Sequence, residues 1–490
     1  MNKHLIMIFK KSKYLNITIY IFLILIALLT RYYLLEDRNS WHDEWHSIYV
    51  SDPNISNEET LLRYYGDKGD YILPEYYPSL YLFILKYFFQ LFGYVDDNGR
   101  LLSLIFGVLT IPFAMYLTSV LKKGVDYIFV GLLISFNLFL TWQSIEIRAH
   151  SILVAVSLIN IVLFYKILEK EKFVIYLSYF LTSIFLLSLW PLAGTIFFGK
   201  SIYLIKDYMV NKKKNIIIFF LFFLILFFYI LLNIDYLKYN IARDSHYTVL
   251  YDSFFYNYHF RSFFGSKILG GIFLILFSVF LIINLKNLFL KHRKEDLLLY
   301  IILSSYFLPL MYTLFKASIM SPKYVIFIIP LIIIWITINI EFKNFKSIKI
   351  CLVLISLIFL IFNINNSPID RPPTKNVLKK LLDHEVNLIL INEADVFYNY
   401  LKTKKIIIKN EIKILKIKDT IPNNFERYWF LCLNNVLHFI GDEGLLSNNP
   451  KVEDKCLDVG PKTQFHEIFP SISNIQDFYI RRFEKTVPKK

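Results

Sequence analysis

Long apolar runs separated by short polar segments dominate the chain. Because about 20 apolar residues cross the hydrocarbon core of a bilayer as a helix, the pattern predicts about eleven transmembrane helices. The runs lie near 15–35, 101–121, 125–142, 151–168, 173–190, 192–205, 215–234, 268–285, 297–315, 324–341 and 347–364. From about residue 365 charges become interspersed after a proline-containing linker, which predicts a small α/β domain over 365–490.

Within that domain, short alternating or apolar runs predict strands at 386–391, 405–409, 412–417 and 428–433. The segments 374–385 and 393–402 are predicted to be helices. No catalytic constellation is evident there, so we expect the domain to bind the acceptor or to act as a structural lid.

One further apolar run, 79–93, decides the topology. If it does not cross, the five basic clusters between later runs all lie on the side of the basic N-terminus, which the positive-inside rule places in the cytoplasm. These clusters are at 122–123, 166–172, 206–214, 286–294 and 343–349. If it crosses, all five move outside. We therefore predict that 79–93 is an interfacial helix with Lys86 in its middle.

This topology puts long loops at 36–100 and 235–267, short turns at 143–150 and 316–323, and the C-terminal domain outside the cell. We expect an integral membrane protein with its N-terminus in the cytoplasm, and we expect its chemistry on the external face.

Composition agrees with a membrane protein and excludes several other classes. Of 490 residues, 56% are hydrophobic and 18% aromatic, and the charge of +15 comes from cationic loops rather than from a nucleic-acid-binding surface. Three cysteines are too few for a disulfide scaffold. Cys351 lies in an apolar run, whereas Cys432 and Cys456 could pair if their domain is external.

Two adjacent acids, Asp43 and Glu44, lie between Trp41 and Trp45 just after the first helix. A carboxylate beside lipid can act as a general base toward a hydroxyl group. The alternative is a pair of solvated acids within an aromatic belt at the membrane surface. A divalent metal site is a third, weaker interpretation, which would use His42 and His46.

Cations and polar residues gather in the other predicted external segments. They are Arg100 at the start of the second span, Glu146, Arg148 and His150 in the 143–150 turn, Arg243 in the second long loop, and Lys323 with Tyr324. Such a set suits an anionic lipid headgroup whose phosphate is bound by arginine and lysine. The alternative is that these cations only anchor loops to membrane phosphates.

The order of these motifs resembles the bacterial protein-mannosyltransferase-like superfamily of GT-C membrane glycosyltransferases, which includes the aminoarabinose transferases of lipid A. The motifs are Trp-His-Asp-Glu-Trp at 41–45, Tyr-Pro-Ser-Leu-Tyr at 77–81, Phe-Gly at 92–93, Asn-Gly-Arg-Leu-Leu-Ser at 98–103, Ile-Glu-Ile-Arg-Ala-His-Ser at 145–151, and Pro-Lys-Tyr at 322–324 with Pro330. The resemblance covers about 1–365 and is strongest over 36–155.

The resemblance implies a GT-C fold over 1–364, a polyprenyl-phosphate sugar donor, and sugar transfer on the external face. Asp43 matches the acid that such enzymes use at the acceptor, with Glu44 as its neighbour, and Arg100, Glu146 and Arg148 match further polar positions. The chain departs from many relatives at His150, where they carry tyrosine, and at Lys323, where they carry arginine.

We therefore predict an inverting glycosyltransferase that moves a sugar to a hydroxyl of a glycan, lipid or protein. Asp43 would act as the base, Glu44 would orient the acceptor or the base, and cations would stabilise the leaving phosphate. The prediction names no certain cofactor. Two alternatives are a transporter or flippase of lipid-linked sugars, which would carry ionisable residues near span midpoints, and a non-catalytic assembly protein.

Overall fold

The fold is taken from a computed structural model of the chain. It describes residues 2–36, 40, 42–65, 78–122, 126–170, 172–211, 216–242, 259–290, 293–315, 319, 321–342, 346–365, 388–391, 394–405, 413–416, 429–434 and 436–442.

Helices account for most of the described residues. They are α1 (Asn2–Glu36), α2 (His42–Val50), α3 (Asn57–Tyr65), α4 (Leu80–Phe92), α5 (Asp96–Leu121), α6 (Tyr127–Ser135), α7 (Leu138–Gln143), α8 (His150–Glu169), α9 (Phe173–Leu189), α10 (Gly194–Asn211), α11 (Ile216–Leu232), α12 (Ile234–Ala242), α13 (Arg261–Phe264), α14 (Lys267–Leu290), α15 (Asp296–Phe315), α16 (Ile328–Phe342), α17 (Lys346–Asn365) and α18 (Ala394–Thr403). Short 3-10 helices cover Pro191–Ala193 and Pro322–Val325.

Every predicted apolar run is helical. Five helical segments of the described chain are long and apolar enough to cross a membrane: Thr18–Leu35, Asp96–Leu121, His150–Glu169, Lys267–Lys286 and Asp296–Thr313. Shorter apolar helices lie at Leu80–Phe92, Phe173–Leu189, Ile216–Leu232, Ile328–Ile340 and Ser347–Phe362. These helices, together with the apolar composition, mark the chain as an integral membrane protein. The count of about eleven spans stays a prediction.

The predicted run 125–142 differs from a single helix, because it is divided between α6 and α7. Asn137 lies at the break, and its side-chain oxygen accepts a hydrogen bond from the Leu140 amide at 2.9 Å. This bond caps the new helix and satisfies a donor that the broken ladder leaves open. The Asn137 amide group also donates to the Phe263 carbonyl at 2.9 Å.

Lys86 explains why α4 combines an apolar sequence with a charge in its middle. Its ammonium is buried and donates to the Ile55 carbonyl at 2.7 Å and to the Asn57 and Thr60 side chains at 3.0 Å each. Oxygen atoms from the loop before α3 and from the first turn of α3 therefore satisfy the ammonium group. The placement of 79–93 at the membrane surface stays a prediction. In that placement the Lys86 ammonium would not be exposed to hydrocarbon.

The turn between α4 and α5 accounts for the Phe-Gly and Asn-Gly-Arg motifs. Gly93 ends α4 with a φ of 100°, a conformation that favours glycine. The Asn98 side chain donates to the carbonyls of Phe92 at 2.7 Å and Gly93 at 3.0 Å, and the Gly93 carbonyl also accepts from the Val95 amide at 3.0 Å.

Several predicted cytoplasmic segments meet at one end of the helices. Lys206 pairs with Asp296 at 3.1 Å, and Arg293 pairs with the same carboxylate at 2.9 Å. Lys294 forms an ion pair with Glu169. The basic clusters that follow α8, α10 and α14 thus lie together, as the charge pattern predicts.

The C-terminal segment contains a small mixed sheet. Its strands are β1 (Leu388–Ile391), β2 (Lys413–Lys416), β3 (Trp429–Asn434) and β4 (Val436–Asp442), in the order β2-β1-β3-β4. Strand β1 is parallel to β2 and β3, and β4 is antiparallel to β3.

Three predicted strands and the helix at 393–402 are therefore present, while β4 was not predicted from the sequence. The predicted helix at 374–385 and most of the predicted strand at 405–409 lie outside the described residues. So does Cys456, and with it the predicted pairing with Cys432.

The chain divides into two compact units that are discontinuous in sequence. The first contains 1–33, 103–145 and 149–362, and the second contains 34–102, 146–148 and 363–490. The second unit thus collects the first long loop, part of the 143–150 turn and the C-terminal segment. These are segments that the charge pattern predicts on the same side of the membrane.

Candidate functional site

The short helix α2 carries the two acids in its first turn, where the helix dipole favours negative charge. Their environments differ. The Asp43 side chain is 22% exposed, whereas the Glu44 side chain is 0% exposed. Of the two, Asp43 is therefore the acid that a substrate can reach.

Glu44 is held by two donors within the second unit. Its Oε1 accepts a hydrogen bond from the Arg100 Nε at 3.4 Å and from the Ile147 backbone amide at 3.1 Å. A buried carboxylate needs such partners because its desolvation is costly. Glu44 therefore joins α2 to the start of α5 and to the 146–148 segment.

Asp43 faces Arg148. The Arg148 Nη2 donates to Asp43 Oδ2 at 3.0 Å, and its Nη1 donates to the Ser47 hydroxyl at 3.2 Å. A charge-assisted hydrogen bond of this length holds the Asp43 carboxylate in a defined orientation. Arg148 is itself almost enclosed, with a side chain 7% exposed, so that its position is fixed by the protein.

Three further groups join Glu44 and Arg100. We call the set of Glu44, Arg100, Asp96, Ser40 and Lys404 the buried charge network. Arg100 donates to the Ser40 hydroxyl at 2.7 Å and lies 3.8 Å from Asp96. Ser40 in turn donates to Asp96 at 3.2 Å, and Lys404 forms an ion pair with Asp96.

The other end of α2 is fixed as well. The Tyr94 hydroxyl donates to the Ile48 carbonyl at 3.0 Å, and Arg63 donates to the Tyr49 carbonyl at 2.8 Å. Burial, with the nearby Asp52 carboxylate, holds the pKa of the Tyr94 hydroxyl well above its ordinary value, so it stays a neutral donor. The last carbonyls of α2, which lack helical partners, are thereby satisfied.

Gly99 allows the 146–148 segment to approach α5 closely. A Cβ atom at this position would lie 3.1 Å from Ile147 and from Phe89. The Asn-Gly-Arg motif thus has a separate structural reason for each residue: a cap from Asn98, a close approach at Gly99, and an ion pair from Arg100.

A second group of predicted site residues lies in the first unit. His150 is buried and meets Trp190 edge to face, with ring centroids 5.6 Å apart. The Trp190 indole donates to the Tyr324 carbonyl at 2.9 Å, and the Lys323 ammonium lies 5.6 Å from the centre of the Tyr324 ring. His150, Lys323 and Tyr324 are therefore gathered around Trp190.

The remaining candidates are placed as follows. Glu146 is buried. Arg243 and the side chain of His42 lie outside the described residues, and His46 is buried on α2. Within the described part of the chain no three or more His, Cys, Asp or Glu side chains form a group that could hold a metal ion.

Sequence reasoning missed several residues with a structural role near these sites. Asp96 and Lys404 belong to the buried charge network, but nothing local in the sequence relates two residues so far apart. Trp190 had a usable signal, because tryptophan at the end of a span, directly before Pro191, is typical of a membrane interface. Arg31 is buried and donates to the Ser144 hydroxyl at 2.9 Å.

Lys200 is a further buried cation in the first unit, near the middle of the predicted span 192–205. Its ammonium contacts the Asn160 side chain and the Tyr179 hydroxyl, the latter at 3.2 Å. It also lies 5.1 Å from the Phe164 ring centre and 4.9 Å from that of Phe197. Lys200 is an ionisable residue near a span midpoint, which is the feature that the transporter alternative predicts.

The arrangement around α2 is suited to proton transfer. A partly exposed carboxylate is held by an arginine, and its helix is anchored by a buried carboxylate at one end and capped carbonyls at the other. A base must be held within hydrogen-bonding reach of the proton that it accepts. The geometry supplies that rigidity.

No protein-family model matches the chain, and no curated protein matches it. Solved structures that match include the crystal structure of ArnT from Cupriavidus metallidurans bound to undecaprenyl phosphate. The identity is 12% and the TM-score 0.45, over 79% of this chain and 74% of that chain. Undecaprenyl phosphate is the ligand of that protein.

Proposed function

We propose that the chain is a membrane glycosyltransferase that moves a sugar from a polyprenyl-phosphate donor to an acceptor hydroxyl at the external membrane face. The observation that carries the proposal is the contrast between the two acids. Asp43 is partly exposed and paired with Arg148 at 3.0 Å, on a helix that Glu44 anchors from a fully buried position.

In the proposed reaction, the acceptor oxygen attacks the anomeric carbon of the donor sugar. The bond between that carbon and the phosphate oxygen breaks, polyprenyl phosphate leaves, and the acceptor proton passes to Asp43. Direct displacement inverts the anomeric configuration. The donor already carries a good leaving group, so the enzyme chiefly supplies a base and cationic stabilisation of the phosphate.

The geometry changes the roles that we assign to two residues. Glu44 and Arg100 contact each other and are enclosed by protein, with side chains 0% and 1% exposed. We therefore propose that they position α2, rather than touch the acceptor or the donor phosphate as the sequence suggested. Glu146 is likewise buried. We propose that it has a structural role within the 146–148 segment and does not contact the donor.

The donor phosphate needs a cation that is accessible. Lys323 is half-buried beside Tyr324, and we propose that it binds the phosphate as a point charge, without the bidentate geometry of arginine. Arg148 adds a second positive charge from its fixed position beside Asp43, and we propose that it stabilises the developing phosphate charge electrostatically, without moving onto the phosphate. Arg243 stays a prediction for the same role.

We further propose that the chain resides in the bacterial inner membrane with its N-terminus in the cytoplasm. The second unit, which holds α2 and the C-terminal segment, would then lie outside. This topology places the proposed base on the external face of the membrane. A polyprenyl-phosphate sugar can serve as the donor there without a sugar nucleotide.

The test is transfer by purified protein from a panel of polyprenyl-phosphate sugars to a mixed pool of glycan and lipid acceptors. The expected result is formation of a glycoside together with free polyprenyl phosphate, with inverted anomeric configuration by NMR. Retention of configuration would contradict direct displacement of polyprenyl phosphate by an acceptor hydroxyl that Asp43 activates.

Lys200 favours a second candidate function, because a buried ionisable residue near a span midpoint is typical of a transport pathway. Reconstituted vesicles distinguish the two. A transporter moves intact lipid-linked sugar to the opposite leaflet and releases no polyprenyl phosphate, whereas a transferase cleaves the donor.

A further inference from the structure

Helix α18, in the C-terminal segment, packs directly on α2. The Trp45 ring stacks on Tyr400, with centroids 4.3 Å apart and planes inclined by 20°, and Phe397 lies 6.1 Å away. All three side chains are buried. Trp45 immediately follows Glu44 in the sequence. Its stacking on Tyr400 therefore holds the turn of α2 that carries the two acids.

Lys404 follows α18 and reaches the buried charge network. Its ammonium forms an ion pair with Asp96, whose side chain is otherwise engaged by Ser40 at 3.2 Å and Arg100 at 3.8 Å. Asp96 is fully buried, which makes an uncompensated charge there costly.

Charge balance gives Lys404 a specific role. The buried network contains two carboxylates, Glu44 and Asp96, and two cations, Arg100 and Lys404. Without Lys404, Arg100 would be the one cation left in this network for two buried carboxylates, and it also lies 3.6 Å from the exposed Asp97. We expect its guanidinium then to move toward Asp96, which weakens the 3.4 Å contact to Glu44 that anchors α2.

We infer that Lys404 and Tyr400 are positioning residues for the acid on α2, so that the C-terminal segment sets the geometry of the site. Its catalytic consequence rests on the proposed function, but the placement of α2 does not. Tyr400 is buried and the Lys404 side chain is 18% exposed, and both contact protein groups of α2 and the buried charge network. This role therefore differs from that of a lid or an acceptor-binding domain.

The experiment compares Lys404→Met with Lys404→Arg in the full-length protein. The matched control is Lys402→Met, because Lys402 is exposed on the same helix and lies 4.7 Å from the Tyr398 ring centre, away from the network. Two quantities are measured: hydrogen exchange of the α2 amides, and kcat and KM for sugar transfer.

We expect Lys404→Met to increase exchange across His42–Val50 and to lower kcat by about 10- to 100-fold, with KM for the donor changed much less. Lys404→Arg should restore most of both, because it retains the charge. Lys402→Met should match the wild type in both measurements. Unchanged exchange and kcat in Lys404→Met would overturn the inference, as would equal effects of the two methionine substitutions.

If Lys404→Met does not fold, Tyr400→Leu and its control Tyr398→Leu replace the pair, since Tyr400 is buried on Trp45 and Tyr398 is exposed. Increased α2 exchange only in Tyr400→Leu supports the inference, and equal exchange in both contradicts it. If the wild type transfers no sugar from any donor, the proposed function fails, and hydrogen exchange alone decides the positioning role.

Discussion

Two neighbouring carboxylates can carry opposite tasks because solvent access and partners, not sequence position, set what each can do. Asp43 retains contact with solvent and one arginine, whereas Glu44 is enclosed with Arg100 and the Ile147 amide. The sequence predicted Asp43 as the base and Glu44 as its neighbour that orients the acceptor or the base, but it did not predict that their exposures differ. Only the return of the 146–148 segment to α2 separates them, and that contact is not visible in the sequence.

This contrast predicts that Glu44→Gln harms stability more than Asp43→Asn. Neutralising Glu44 leaves the buried charge network with two cations for the one carboxylate of Asp96, and breaking a buried pair typically costs about 3 to 5 kcal/mol. Neutralising a partly exposed acid costs about 1 kcal/mol or less. Melting temperatures of the detergent-solubilised variants check this order. A Glu44→Gln variant as stable as the wild type but inactive would indicate direct contact between Glu44 and substrate.

At the scale of elements, apolar periodicity predicted every long helix because lipid and the protein interior impose the same apolar pattern on a span. The break between α6 and α7 was missed, since Asn137 lies within an apolar run and its bonds to the Leu140 amide and the Phe263 carbonyl are not visible in the sequence. The residues of α18 were predicted to be helical. The packing of α18 on α2 was not predicted, because local patterns do not encode which surfaces meet.

Close packing of α5 against the 143–150 turn gives an element-scale prediction. A Cβ on Gly107 would lie 2.1 Å from the Ser144 Cβ, and Ser144 also binds Arg31. Gly107→Ala should therefore displace the turn and cost about 1 to 3 kcal/mol. The control is Gly194→Ala, where the nearest atom to a new Cβ is 3.8 Å away. Equal melting temperatures for the two variants would show that the turn yields without strain.

At the scale of the whole molecule, the positive-inside rule predicted which segments lie together. Ion pairs join residues of the basic segments after α8, α10 and α14, and the second unit collects segments predicted to be external. The sequence does not predict long-range charge pairs such as Lys404 with Asp96. Nothing in it distinguishes Lys404 from other lysines as the partner of this acid.

Lys200 provides the whole-molecule test between transferase and transporter. Its polar partners, Asn160 and Tyr179, are neutral, so Lys200→Met removes a buried charge while keeping most of the side-chain volume. A transferase with its site near α2 should keep its transfer rate within about twofold, since this change lies outside the proposed machinery. Loss of lipid-linked sugar movement in vesicles, with no donor cleavage in the wild type, would favour the transporter.

The most direct test of the central claim is the rate of sugar transfer by Asp43→Asn beside Glu58→Gln, an exposed acid in the first turn of α3. Asparagine keeps the shape of Asp43 but cannot accept the acceptor proton. The proposal predicts that Asp43→Asn loses about 100- to 10,000-fold in kcat at an unchanged melting temperature, while Glu58→Gln transfers as the wild type does. Full transfer activity in Asp43→Asn would contradict the assignment of Asp43 as the base.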